Sequence, residues 1–295
     1  ARNFLIYARA LRDGGTASSP PASPLLKAGL GWAETTQPAL SDLQDIWNAD
    51  APVVAITFYR ALLQSGNTQP VSALVDALAA QGMNALPVYV SSLKEEISQA
   101  TIRTLFGKAS PSVVINLTGF AVSSVEGERV PTVLEENGAV VLQAVLASGS
   151  EEAWDESAQG LSSRDLAMNV ALPEVDGRVL SRAIAFKNAS DFDEATQANI
   201  VRHVARQDRV EFVAELATNW ARLRATSVAE KKVALVLANY PNRDGRLGNG
   251  VGLDTPAGTV EVLNAMRGAG YTLHDFPNDG DALIEYLQAG PTNAA

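Results

Sequence analysis

The sequence contains no cysteine and only two histidines, His203 and His274. These absences exclude disulfide bonds, cysteine-ligated zinc and cysteine-ligated iron–sulfur clusters, and they exclude a multi-histidine metal site built by this chain alone. Basic residues are also few. The 23 lysines and arginines stand against 33 aspartates and glutamates, which gives a net charge of −10 without any basic block. We therefore expect neither nucleic acid nor an anionic membrane surface as a partner.

Long apolar runs are missing as well. No run approaches the roughly 18–20 residues that a membrane-spanning helix needs, so we expect no membrane insertion. Residues 1–15 lack the successive basic, apolar and small-residue zones of a signal peptide. A cysteine-free composition suits the cytoplasm, which is the predicted location. The first residue is not methionine, and we expect the sequence to be an internal fragment of a longer protein.

Apolar residues make up 46% of the 295 residues, which is enough for a large core. A chain of this length is expected to form about two domains. From residue 51 onward, short β-branched runs alternate with helix-length amphipathic segments. The runs that read as strands are 53–58, 86–90, 112–117, 140–146 and 179–186. This alternation predicts βαβ units with right-handed crossovers and a mostly parallel sheet.

The predicted domain organisation has four parts. They are the end of a helix and a linker (1–50), a first α/β lobe (51–189), connecting helices (190–229) and the start of an incomplete second α/β lobe (230–295). The expected fold class is α/β, with two Rossmann-like or flavodoxin-like lobes joined by a long helical segment. That segment is predicted over residues 192–225, or as two helices broken near Gln207, and it places His203 on an exposed helical surface. In the second lobe we expect strands at 233–238 and 271–273.

A polar loop with four glycines, residues 239–254, links an apolar run to the start of a helix. Glycine permits positive φ and close approach of a ligand, and a helix start presents free N–H groups. The loop matches neither the Walker A motif nor the dinucleotide-binding motif, so we expect no ATP hydrolysis by this chain alone. It is either a structural turn or a loop that faces a ligand or another subunit. Its candidate binding residues are Asn239, Asn242, Arg243, Gly245, Gly248, Asn249 and Asp254.

Other polar residues follow the predicted strands of the first lobe. Glu174 and Asp176 stand two residues apart in a segment that reads as extended, so their carboxylates face one side and can bind a hard cation or accept protons. Arg178 can neutralise one of them. Arg60 follows the first strand and residues 118–120 follow the third, at the sheet edge where open α/β folds bind ligands. The alternative for each is an ordinary turn, cap or loop contact.

The two histidines receive different interpretations. His274 follows a predicted strand and stands beside Asp275, so it is the candidate general base. His203, between Arg202 and Arg206, is interpreted as a surface residue. Ser162 and its neighbour have no nucleophile-elbow pattern around them, which argues against a serine hydrolase.

Four stretches of the chain resemble one known family. They are residues 53–94, which begin VVAITFYRALLQ, residues 111–120 (PSVVINLTGF), residues 162–179 (SSRDLAMNVALPEVDGRV) and residues 238–271, which include NYPNRDGRLGNGVGLD. In this order they resemble the family that unites the large subunits of aerobic cobaltochelatases with the H subunits of magnesium chelatases. Arg178 after glycine, and the Leu253-Asp254 ending, are more similar to the cobalt branch. Members of the family are much longer than this chain.

The resemblance implies a fragment of a large, tetrapyrrole-binding subunit of an ATP-dependent cobaltochelatase, a ligase that forms nitrogen–metal bonds. The implied reaction inserts Co²⁺, as a substrate, into hydrogenobyrinic acid a,c-diamide during cobalamin biosynthesis. Separate AAA+ partner subunits are implied to hydrolyse ATP, with none bound by this chain. We expect the isolated fragment to be inactive, because further catalytic groups are expected in the part of the family pattern that it lacks.

The resemblance also suggests how the candidate residues divide their roles. Glu174, Asp176 and the loop 242–254 would line a cleft between the lobes, and His274 would act as the base within this fragment. Arginines 60, 178 and 243 would meet carboxylates on the rim of the ring, since a guanidinium pairs well with a carboxylate. The residues that hold the metal stay unassigned.

Three alternatives remain open on sequence alone. The first is a subunit of the magnesium branch, which inserts Mg²⁺ into protoporphyrin. The second is a scaffold that docks ATPase subunits without binding the ring. The third is an unrelated α/β enzyme that uses NAD or a nucleotide sugar, against which the missing dinucleotide-binding motif argues.

Overall fold

The structure is a computed structural model of the 295-residue chain. It describes residues 2–15, 25–31, 38–124, 129, 131–194, 197–238, 248, 250 and 252–290. The chain divides into two compact units, Ala1–Ala221 and Arg222–Ala295. Within the described residues, no helix is long and apolar enough to cross a membrane.

A seven-stranded sheet forms the centre of the first unit. Its strands are β1 (Ala28–Leu30), β2 (Val53–Tyr59), β3 (Asn84–Val90), β4 (Val113–Asn116), β5 (Val140–Leu146), β6 (Val179–Asp193) and β7 (Ala198–Ala205). Their order in the sheet is β1-β3-β2-β4-β5-β6-β7. The five strands from β3 to β6 are parallel, and β1 and β7 add antiparallel edges. The prediction of a mostly parallel α/β sheet is confirmed, and the parallel part has the flavodoxin-like order 2-1-3-4-5.

Helices pack on both faces of this sheet. The helices of this unit are α1 (Arg2–Arg12), whose large apolar side chains are exposed, α2 (Leu40–Gln44), α3 (Arg60–Gln64), α4 (Gln69–Ala80), α5 (Glu96–Ala109), α6 (Glu151–Asp155), α7 (Ser163–Leu166), α8 (Leu172–Val175) and α9 (Gln207–Ala225). Along β2 the side chains alternate between two apolar clusters. Val54 packs in the cluster with Leu74 of α4 and Val213 of α9, whereas Ala55 packs in the cluster with Ile102 of α5. Burial on both faces explains why the parallel strands read as continuous apolar runs.

The predicted helix over 192–225 is wrong in its first half. Strand β6 continues to Asp193 and pairs antiparallel with β7, so residues 198–205 form one arm of a β-hairpin. The apolar residues Ile200 and Val204 are four positions apart, a spacing that fits one face of a helix and one face of a strand equally well. Pairing with β6 decides between them, and the helix α9 begins only at Gln207.

The second unit contains a 3₁₀ turn (Val228–Glu230) and two helices, α10 (Thr255–Gly268) and α11 (Gly280–Ala289). Helix α10 follows the polar loop as predicted, and Gly280 of α11 packs closely on α10, where an added Cβ would meet the Ala257 nitrogen at 2.8 Å. The predicted strands at 233–238 and 271–273 are not formed in the described residues, and Val236 is 92% exposed. An extended segment becomes a strand only when another strand pairs with it, and none of these residues supplies that partner.

Candidate functional site

The strand order of the first unit reverses between β2 and β4, and ligands in open α/β sheets bind at this point, outside the carboxyl ends of the strands. Tyr59 ends β2, and the segment 117–122 follows β4. Two clefts open here and share the Tyr59 side chain as a wall. We call them the larger cleft and the smaller cleft.

The larger cleft has a volume of about 430 Å³. Its apolar walls include Leu62, Leu117 and Leu146, and its polar lining consists of Tyr59, Arg60, Gln64, Ser91, Asn169 and His203. A mostly apolar cleft with a few polar groups is the usual form of a small-molecule site. Among the described residues of the lining there is no carboxylate, and Arg60 is the one permanently charged residue.

Arg60 begins α3 directly after β2, which places its guanidinium beside the switch point. Its Nη2 donates a hydrogen bond to the carbonyl oxygen of Leu25 over 2.6 Å. Its Nε is closed off from solvent and bonds to no group that the structure describes. Among those same residues Arg60 forms no ion pair. A guanidinium has five N–H donors, so the larger cleft has a cation with unused hydrogen-bonding capacity.

His203 lies on β7 and is half-buried in the wall of the larger cleft, so its interpretation as an exposed helical residue is wrong. Its backbone N–H donates to Oδ1 of Asn67 over 2.9 Å, and Nδ2 of the same amide lies 3.0 Å from the ring Nδ1. Because the amide oxygen accepts the backbone proton, the amide nitrogen must face the ring. Nδ1 is therefore an acceptor, and the ring proton is on Nε2.

Burial lowers the pKa of His203, and the charge of Lys187 lowers it further, against the opposing effects of the Ala147 carbonyl and Asp165. A histidine with a lowered pKa is neutral at pH 7. His203 therefore contributes a fixed, uncharged wall to the larger cleft.

A π-helical turn, Ala167–Ala171, brings Asn169 to the larger cleft. Turns of this type are rare and occur often at functional sites. The carbonyl oxygen of Met168 accepts a hydrogen bond from the Phe120 nitrogen over 2.7 Å, and Phe120 has a φ of 63°. An added Cβ on Gly119 would lie 2.8 Å from Oδ1 of Asn169. The segment after β4 thus needs a glycine here because the π-helical turn approaches its backbone so closely.

The smaller cleft, of about 220 Å³, lies between the segments that follow β3 and β4. Its lining includes Lys94, Thr118 and Phe120. The Tyr59 hydroxyl donates to the carbonyl oxygen of Gly119 over 3.1 Å and so fixes the wall between the two clefts. Burial raises the pKa of Tyr59, although the charge of Arg178 lowers it in part, so the phenol stays protonated at neutral pH.

A chain of buried polar groups supports the switch point from behind. Thr57 donates to Oδ1 of Asn116 over 2.8 Å, and the Asn116 amide donates to Oε1 of Gln143 over 2.8 Å. The Gln143 amide in turn donates to the carbonyl oxygen of Thr118 over 3.0 Å. All four residues are buried. Fully bonded polar networks of this kind hold one arrangement of the backbone, here the start of the segment after β4.

Asp176 and Arg178 form an ion pair whose side chains are 0% and 1% exposed, with 2.6 Å between Oδ2 and Nη2. The Asp176 carboxylate also accepts the backbone N–H groups of Val122 and Ser123, each over 2.8 Å. Burial opposes ionisation of Asp176, but these hydrogen bonds and the Arg178 charge outweigh it and lower the pKa. Burial lowers the pKa of Arg178 against the attraction of Asp176. The pair therefore anchors the segment that follows β4.

This geometry corrects one prediction about the first unit. Glu174 and Asp176 do not share one side of an extended segment, because Glu174 lies in helix α8 and is exposed, while Asp176 ends that helix and is buried. Pro173 in the first turn favours this short helix. Of the predicted residues, Arg60 lines a described cleft, whereas Asp176 and Arg178 lie behind the switch point and line neither cleft.

Three of the predicted residues in the second unit are described. His274 is exposed. Asp254 caps α10, where its Oδ1 accepts the Ala257 nitrogen over 3.1 Å. Gly248 has a φ of 66° and is buried. The other predicted loop residues, Asn239, Asn242, Arg243, Gly245 and Asn249, lie outside the described residues.

Sequence reasoning missed several residues that shape the larger cleft. Gln143 is the only polar residue of the strand VVLQAVL, and an isolated polar residue in a buried strand is a usable signal of a buried hydrogen-bond network. Asn67 stands just before helix α4, but its side chain bonds to His203, far away in the sequence. No local signal marks Asn169, because its position depends on the π-helical turn.

Comparisons with known proteins give a consistent result. The family model described as CobN/Magnesium Chelatase matches residues 1–295. The chain is 56% identical, over 99% of its length, to the aerobic cobaltochelatase subunit CobN of a Sinorhizobium species, and 44% identical over 84% to that of Pseudomonas aeruginosa. It is 28% identical over 88% to the chloroplastic magnesium-chelatase subunit ChlH of rice.

A solved structure, the catalytic subunit of cobaltochelatase from Mycobacterium tuberculosis, has a similar fold. It matches 97% of the chain with a TM-score of 0.73 and 31% identity. The chain covers only 24% and 20% of the two cobaltochelatase relatives and 23% of the solved chain.

Proposed function

Since the chain belongs to the CobN/magnesium chelatase family, we propose that it forms part of the large, tetrapyrrole-binding subunit of an aerobic cobaltochelatase. The observation that carries the proposal is the 56% identity to a cobaltochelatase subunit over 99% of the chain, set against 28% for a magnesium-chelatase subunit. The reaction is the insertion of Co²⁺ into hydrogenobyrinic acid a,c-diamide, with the metal ion as a substrate.

The reaction makes three demands on a protein. A base must remove the inner N–H protons of the ring, ligands must replace water on the incoming Co²⁺, and the rim of the ring must be held in place. We assign the third task to this chain. Its switch-point clefts have rigid walls and hydrogen-bonding groups suited to carboxylate and carboxamide substituents. Separate AAA+ subunits hydrolyse the ATP, in keeping with the missing Walker A motif.

We divide the candidate residues by their positions. Arg60 in the larger cleft and the loop residues Asn242 and Arg243 contact the ring, and exposed His274 stays the base candidate of this segment. Asp176 and Arg178 act from behind the switch point as positioning residues. We propose the remaining candidates as further contacts to the ring: Glu174, Asn239, Gly245, Gly248, Asn249 and Asp254.

Tetrapyrrole binding and cobalt insertion by the full-length protein test the proposal. We expect binding of the ring to quench tryptophan fluorescence, and insertion with Co²⁺ but not with Mg²⁺ when the ATPase subunits and ATP are present. Arg243→Gln should weaken ring binding, whereas Arg103→Gln, which removes a surface ion pair with Glu136, should not. Insertion of Mg²⁺ into protoporphyrin would contradict the assignment to the cobalt branch.

A further inference from the structure

We infer that the larger cleft binds a single carboxylate-bearing arm of the ligand rather than the whole macrocycle, with Arg60 as the pairing group. The identity of that arm as a substituent of the tetrapyrrole rests on the proposed function. The chemistry of the cleft rests on its own residues.

The charge of the cleft favours an anion. Among the described residues, Arg60 is the only permanently charged one in the lining, and it forms no ion pair with a carboxylate. Removing a cation from water without a counterion costs free energy. Tyr89, whose pKa burial raises, is the ionisable group on which the Arg60 charge acts, and its phenol is neutral at pH 7. An incoming anion therefore meets a guanidinium that no described carboxylate neutralises.

The neutral groups of the cleft favour a carboxylate over a phosphate. His203 is held as the uncharged tautomer by Asn67, and the other polar groups of the described lining are hydroxyls and amides, from Tyr59, Gln64, Ser91 and Asn169. One guanidinium matches the single charge and planar shape of a carboxylate. A phosphate dianion is usually bound by several cations, and Arg60 is the only cation among the described residues of the lining.

The size of the cleft limits what enters. Its volume of about 430 Å³ lies near the lower end of the roughly 300–1,000 Å³ of small-molecule sites. Leu62, Leu117 and Leu146 form its apolar walls. A short hydrocarbon chain that ends in a carboxylate fits both features, whereas a macrocycle with its full set of substituents exceeds the space. The ring itself is then left outside the cleft, with one arm inserted.

The walls are held in position without a ligand. Tyr59 is fixed by Gly119, and His203 is fixed by two hydrogen bonds to Asn67. A preorganised site loses little conformational entropy on binding. The cleft should therefore bind a small acid that carries no ring at all, which makes the inference testable apart from the proposed function.

The test uses the full-length protein and three probes: propanoate, its neutral analogue propanamide, and inorganic phosphate. Binding is measured by ligand-observed NMR or calorimetry for the natural sequence and for Arg60→Gln, Arg60→Lys and the control Arg103→Gln. We expect propanoate to bind better than propanamide and phosphate. Its affinity should fall about tenfold or more in Arg60→Gln, as for loss of a hydrogen bond to a charged group, and should not change in Arg103→Gln.

Arg60→Lys keeps the charge and loses the planar fork, so we expect an intermediate loss with this variant. It also serves as the deciding variant if Arg60→Gln does not fold. Equal propanoate affinity in the natural protein and both Arg60 variants would overturn the inference, as would tighter binding of phosphate than of propanoate. Failure of every form to bind the tetrapyrrole would contradict the proposed function alone, since the propanoate result does not depend on it.

Discussion

Replacing Asp176 by asparagine tests whether the buried ion pair positions the segment after β4. The substitution keeps the shape of the side chain and removes its charge. Arg178 then loses its only carboxylate partner in the described structure while its side chain stays 1% exposed. The new amide also offers one oxygen to two backbone donors, the N–H groups of Val122 and Ser123, so one of them faces an NH₂ group.

Removing one partner of a buried ion pair costs about 3–5 kcal/mol, because the other charge stays buried without compensation. We expect a loss of that size in the free energy of unfolding for Asp176→Asn. Glu136→Gln is the matched control. It removes the partner of Arg103 in an ion pair on the surface, and exposed pairs contribute only about 0–1 kcal/mol.

The measurements are urea unfolding and amide hydrogen exchange. We expect a lower midpoint for Asp176→Asn and faster exchange of the Val122 and Ser123 amides, with little change for Glu136→Gln. Adding Arg178→Gln to Asp176→Asn should recover part of the loss, since it removes the uncompensated charge. A positioning role for the buried pair is refuted if Asp176→Asn lowers the free energy of unfolding no more than Glu136→Gln does and leaves the Val122 and Ser123 amides protected.

The loss of stability in Asp176→Asn depends on pH, because the pKa of Asp176 is lowered in the folded protein. A carboxyl group with a lowered pKa in the folded state stabilises the protein fully above its unfolded-state pKa, about 3.9 for aspartate, and this contribution is lost as the pH falls through the folded-state pKa. The difference between the natural protein and Asp176→Asn should therefore be complete at pH 6 and should shrink below about pH 4.

Two further predictions concern Gly119, which lines the smaller cleft, and His203, which lines the larger cleft. Gly119→Ala should cost about 1–3 kcal/mol, because its Cβ would meet Asn169 at 2.8 Å. Gly107→Ala in the open interior of α5 should instead stabilise by up to about 1 kcal/mol, and chemical unfolding of both variants checks the contrast. The natural protein should lose more stability than His203→Gln between pH 7 and pH 5. The reason is that a histidine with a lowered pKa binds protons more readily when unfolded, so stability falls as the pH drops below about 6.5. Equal losses in unfolding experiments at the two pH values would contradict the buried, neutral state of His203.

The parallel strands could be predicted because burial on both faces leaves a simple signal in the sequence. The predicted strand 140–146 has the same bounds as β5. The predicted strand 53–58 ends one residue before β2, which includes Tyr59. The hairpin arm 198–205 could not be predicted, since its apolar spacing fits a helix as well and only pairing with β6 selects the strand. The strands predicted at 233–238 and 271–273 are not formed for a related reason, because no described residue pairs with them. Their sequences favour extended backbone, but local preference forms no sheet without a partner.

The sheet edge that carries the two clefts could be predicted, because the alternation of strands and helices implies a parallel sheet whose carboxyl ends meet at one edge. Arg60 and residues 118–120 follow β2 and β4 at this edge, as expected, whereas their roles toward a ligand stay predictions. Which side chains point toward a ligand depends on features with no local signature. The π-helical turn that presents Asn169 is one, and the Asn67–His203 contact, made across 136 positions of the chain, is another.

The two arginines of the first unit illustrate why residue type alone could not assign a function. Both Arg60 and Arg178 stand near a strand boundary beside polar neighbours, and both were expected to meet carboxylates of a ligand. The fold gives Arg178 a carboxylate from its own chain two residues away, and burial completes the pairing. Arg60 follows β2, which borders the reversal of strand order where a cleft opens, and no described carboxylate pairs with it. The same guanidinium chemistry therefore holds the backbone in place at one position and remains available for an external anion at the other.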